Sequence, residues 1–116
     1  MTAALPPLVC LTGTVAIGLW MASRYLRGLG RDQSLLGFHF LLGAAGLMTG
    51  LLLVGEVPAA ARGMGSIGLG VLTVTLIGGI TVALFLKPKA AKRAIFVHGG
   101  LGLVGFIIFV LWALKL

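Results

Sequence analysis

Apolar residues in this chain fall into four long runs divided by short polar breaks, and no run alternates with a period of two. The runs extend from about Leu5 to Ser23, Leu35 to Val54, Ser66 to Leu86 and Ala94 to Leu114. Each has about 20 residues, the length an α-helix needs to cross a hydrocarbon core of about 30 Å. Continuous apolarity over that length excludes barrel strands, which alternate over about ten residues. The connections, Arg24 to Ser34, Gly55 to Gly65 and Lys87 to Arg93, are short, so consecutive helices are expected to lie antiparallel and adjacent. The expected fold is therefore all-α, a single integral membrane domain over 1–116 built as a four-helix up-down bundle.

Composition removes the soluble alternatives. Of 116 residues, 59% are hydrophobic and 9% are charged, where a soluble domain carries roughly 25% charged residues. The two acids and two histidines are too few to assemble a Ser/His/Asp triad or the paired carboxylates of a glycosidase. One cysteine, Cys10, excludes a disulfide within the chain and reads as an apolar packing residue.

The net charge of +7 would suggest nucleic acid on a polar chain, but here it reads as topology. Arg24, Arg27 and Arg31 follow the first run, and Lys87, Lys89, Lys92 and Arg93 follow the third. Two crossings separate the clusters, so they share a side. The positive-inside rule makes that side cytoplasmic and puts both termini, with Glu56 and Arg62, outside an inner or other energy-transducing membrane. Clusters of this size also attract anionic headgroups. No Lys or Arg precedes the first run and three Arg follow it, which fits an uncleaved helix with its N-terminus outside. Pro6 and Pro7 fall in its first turn, where a missing amide hydrogen costs least.

Sliding the chain against itself by 59 residues places Phe38-His39 over Val97-His98, and both segments read H-x3-G-x2-G. Nearby shifts bring Ile17-Gly18 over Ile77-Gly78 and Arg27 over Lys87. The chain therefore reads as a duplicated helical hairpin whose only two histidines are in register. Each lies five residues beyond the cytoplasmic end of its run, at Ser34 and Arg93, so both rings are expected roughly 7 to 8 Å inside that boundary. In a four-helix ring the second and fourth helices are diagonal, roughly 11 to 14 Å apart. Two imidazoles facing across that gap could take one flat, metal-centred cofactor, whereas a bare zinc or copper ion wants three or four ligands.

Gly43, Gly46, Gly102 and Gly105 fall near the face of the preceding histidine, and Gly50 extends the first stripe. Such stripes either open a slot for a flat ligand or let helices pack closely. The histidines have a plainer reading as buried hydrogen-bonding groups, bonded to each other or to Thr73, Thr75 or Thr81. A proton-relay role is disfavoured because no carboxylate lies within a run.

On these residues the chain resembles the four-helix membrane cytochromes b, in which histidines on transmembrane helices clasp haem and nearby glycines admit the macrocycle. Lys92-Arg93-Ala94-Ile95-Phe96-Val97-His98, running on to Gly102 and Gly105, is similar to the head of haem-binding helices in ferric-reductase-like and other small cytochrome b proteins. The resemblance implies one b-type haem held by His39 and His98, since two-haem members carry four histidines. It also implies propionates near Arg31, Lys92 and Arg93, the alternative being that these are solvated loop charges. The function expected is electron exchange with a quinone or with a partner subunit of a larger membrane redox complex, with a homodimer as a further option and no nucleic-acid partner. A chlorophyll-type pigment is the second cofactor choice. The rival class is a cofactor-free structural subunit of a respiratory or photosynthetic assembly.

Overall fold

The computed structural model describes residues 2–86 and 88–116, with side chains at 3–86 and 92–116. Lys87 and Lys89, two members of the second basic cluster, lie outside the described side chains. The described chain is helical: α1 Leu5–Leu26, α2 Gln33–Glu56, α3 Gly63–Phe85 and α4 Pro88–Ala113, with short 3-10 turns at Thr2–Ala4 and Ala59–Ala61. Four helices are long and apolar enough to cross a membrane.

The helices outrun the apolar segments. Arg24 lies in the last turn of α1, Glu56 is the last residue of α2, and Lys92 and Arg93 sit inside α4. Both ends of α2 are set by capping chemistry rather than by hydropathy. Asp32 caps α2, its Oδ1 accepting from the amides of Ser34 at 3.0 Å and Leu35 at 3.1 Å, which starts the helix before the apolar run. Arg62 donates to the carbonyls of Val57 at 2.7 Å and Gly55 at 2.9 Å, closing the end of α2 where carbonyls lack helical partners. After α1 the chain turns through Gly28 and Gly30, both at φ 73°, a left-handed conformation that glycine adopts without a steric cost.

α1 packs antiparallel on α2, with Leu11 beside Gly46, Thr14 beside Gly43 and His39 beside Gly18. α3 packs antiparallel on α4 through Trp112 beside Gly65, Phe109 beside Gly68, Leu72 beside Gly105, Thr75 beside Gly102 and His98 beside Gly79. Contacts between the pairs, α2 with α3 and α1 with α4, are sparser. Between α2 and α4, Phe109 reaches Gly50 and His98 reaches His39.

The core occupies one half of this arrangement. No residue of α1 after Leu11 is buried, none of α2 before Gly43, none of α3 after Thr75, and none of α4's described side chains before Gly105. Within the filled half Phe109 is 0% exposed. Its ring lies 5.4 Å from that of Trp112, whose indole N–H donates to the Ala61 carbonyl at 2.6 Å. Missing side chains at Gly65 and Gly68 create this packing, since a Cβ there would stand 2.7 Å from the indole and 2.9 Å from the Phe109 backbone nitrogen. Small residues let membrane helices approach in this way.

Candidate functional site

The two histidines meet in the other half, where no described side chain is buried. Their ring centroids are 6.1 Å apart with the planes at 69°, and both residues are half-buried. His39 Nδ1 lies 2.9 Å from the carbonyl oxygen of Thr14, and His98 Nδ1 lies 2.9 Å from that of Thr75. A carbonyl only accepts, so each Nδ1 carries the hydrogen and donates. In the neutral ring the lone pair then resides on Nε2.

Each threonine makes the same set of contacts. Its hydroxyl donates to the carbonyl one turn earlier, Thr14 to Cys10 and Thr75 to Val71, both at 2.8 Å. Its methyl faces the glycine four residues after the histidine: a Cβ on Gly43 would lie 3.4 Å from Thr14 Cγ2, and one on Gly102 3.3 Å from Thr75 Cγ2. The two helix pairs thus build one unit twice. On α1 and α3 the equivalent residues are Leu11, Thr14 and Gly18 with Leu72, Thr75 and Gly79, 61 positions apart. On α2 and α4 they are His39, Gly43 and Gly46 with His98, Gly102 and Gly105, 59 positions apart.

This pairing corrects one alignment drawn from sequence. Gly18 corresponds to Gly79, whereas Gly78 has nothing within 4 Å of its missing Cβ. Sequence reasoning also passed over Thr14 and Gly18, and the acceptor role of the Thr75 carbonyl. The signal was present: a shift of 61 overlays Leu11-Thr12-x-Thr14-x3-Gly18-x3-Ala22 on Leu72-Thr73-x-Thr75-x3-Gly79-x3-Ala83.

The four glycines expected beside the histidines take the close-packing role of their two readings. Leu11 fills the space at Gly46 at 2.7 Å and Leu72 that at Gly105 at 3.0 Å, with the threonine methyls over Gly43 and Gly102. They line the contacts of α1 with α2 and of α3 with α4. The space at Gly50 is taken by Leu69 and Phe109. Of the basic residues, Arg31 donates from Nη1 to the Ala83 carbonyl at 2.9 Å, tying the α1–α2 connection to the end of α3. Lys92 and Arg93 are exposed.

Two imidazoles on opposite sides of one metal would have ring centres about 6 Å apart, from two metal–nitrogen bonds of about 2 Å and about 1 Å from each nitrogen to its ring centre. The centroids of His39 and His98 stand 6.1 Å apart with the planes at 69°. Ligating histidines generally donate their other N–H to a carbonyl or carboxylate, which fixes the tautomer and raises basicity, and both rings here do so. Among the described residues no three of His, Cys, Asp and Glu come together. No protein-family model, curated protein or solved structure matches this chain.

Proposed function

We propose that the chain is a membrane electron-transfer protein, or a subunit of a larger redox complex, in which His39 and His98 hold one b-type haem. The observation that carries this reading is the pair of imidazoles 6.1 Å apart, each tied through Nδ1 to a backbone carbonyl, in the half of the bundle where no described side chain is buried. When bound, the haem supplies a one-electron couple. The carbonyls of Thr14 and Thr75 keep both Nε2 lone pairs available and make the rings stronger donors. Lys92 and Arg93, with the remaining donors of Arg31, stand at the same end as charge partners for carboxylates.

In this reading the four helices form an up-down bundle across an inner or other energy-transducing membrane. The histidine end and the basic connections face the cytoplasm, as the positive-inside rule requires. One site at one end does not complete a transmembrane electron path, so exchange is with a quinone or a partner subunit at that face. Protein purified from haem-sufficient cells should show the Soret and α bands of a low-spin b-type centre, and His39→Ala and His98→Ala should each abolish the low-spin signature. A wild-type protein without such a spectrum overturns the reading.

A second reading has its own support. The Nδ1 bonds to Thr14 and Thr75 are what interhelical structural histidines would make, in a cofactor-free packing subunit. It predicts no b-type spectrum and only a modest loss of stability in either alanine variant.

A further inference from the structure

We propose that Gly18 and Gly79 are positioning residues that open a helical carbonyl to each imidazole and thereby set which ring nitrogen is free to bind a metal. In an α-helix the carbonyl of residue i accepts from the amide of residue i+4, and a side chain at i+4 leans back over that carbonyl because Cα–Cβ bonds tilt toward the N-terminus. Gly18 and Gly79 are the i+4 residues of Thr14 and Thr75. With no Cβ in the way, the carbonyl's second lone pair is reachable from the neighbouring helix, and there each Nδ1 lies at 2.9 Å.

The geometry is tight at both positions and tighter at the second. A Cβ on Gly18 would stand 2.9 Å from His39 Cε1, and one on Gly79 would stand 2.6 Å from His98 Cε1 and 3.2 Å from its Nδ1. A ring can relieve such a contact by swinging on its side-chain torsions, and the swing carries Nδ1 away from the carbonyl. Once that bond is gone, nothing holds the hydrogen on Nδ1, and protonation at Nε2 removes the lone pair a metal would use. The consequence for haem rests on the reading above, while the hydrogen-bond role of the two glycines does not.

The test uses the full-length protein in lipid nanodiscs with ¹⁵N-labelled histidine rings, first without haem. The wild type is expected to show both rings as the Nδ1–H tautomer. Gly79→Ala should shift His98 toward Nε2–H and leave His39 unchanged, Gly18→Ala should do the reverse to a smaller extent, and Gly78→Ala should move neither. Haem titration should then show binding about 10- to 100-fold weaker in the two affected variants, the usual consequence of losing a ligand's hydrogen-bond partner. An Nε2–H tautomer at either ring of the wild type overturns the proposal without relying on any variant to fold. So does a Gly79→Ala protein whose rings match the wild type. If the tautomers shift as stated but the wild type takes up no haem, the positioning role stands and the haem reading falls.

Discussion

The two halves of the bundle are made from the same four helices and use glycine to opposite ends. In the filled half, Gly65, Gly68 and Gly50 are recesses into which Trp112, Phe109 and Leu69 fit, and Phe109 is fully enclosed. In the other half, Gly18 and Gly79 leave room for polar rings, and no described side chain is buried. The difference separates holding the helices together from presenting a ligand pair. A rigid end fixes where the helices point, and the histidines inherit their separation from it. Sites carried on well-packed elements are held more closely than sites on loops.

That division predicts a gradient of stability along the helices. The largest effect is expected for Phe109→Ala, which should lower unfolding stability in detergent by about 3 kcal/mol or more, as large-to-small changes in packed cores do. A loss under about 1 kcal/mol would mean that the filled half is not what holds the bundle. Gly68→Ala comes next, at about 1 to 3 kcal/mol, because the added carbon meets the backbone of α4 and overpacking has no flexible side chain to absorb it. Gly70→Ala, whose Cβ meets nothing within 4 Å, is its control and should be neutral or mildly stabilising. The smallest loss belongs to the open half. His98→Ala in the haem-free protein should cost about 1 kcal/mol, the net worth of one hydrogen bond. Were it as damaging as Phe109→Ala, the two halves would not differ in the way proposed.

The four helices were legible in the sequence because twenty apolar residues in a row leave few choices, and their ends were less so. Lys92 and Arg93 read as connection by charge, yet they are helical. Long basic side chains can extend from a helix end toward a polar boundary, so charge does not terminate a helix there. The register of His39 with His98 was readable because both helices align at one offset. The carbonyl partners were hidden because α1 and α3 align at another. Gly18 precedes His39 by 21 residues and Gly79 precedes His98 by 19, so the spacing in the second hairpin is two residues shorter and no single shift overlays both helices. The identity of a backbone acceptor is written in no side chain at all. It follows from which carbonyl lies bare, and that depends on the residue one turn later.

Phe109 and Gly50 occupy equivalent places, 59 positions apart, yet the phenylalanine ring comes within 3.4 Å of where a Cβ on Gly50 would be. Two identical hairpins assembled as a symmetric dimer would bring either two benzyl groups or two hydrogens to that spot, a collision in one case and a void in the other. In one polypeptide a bulky residue can face an empty one, as Phe109 faces Gly50.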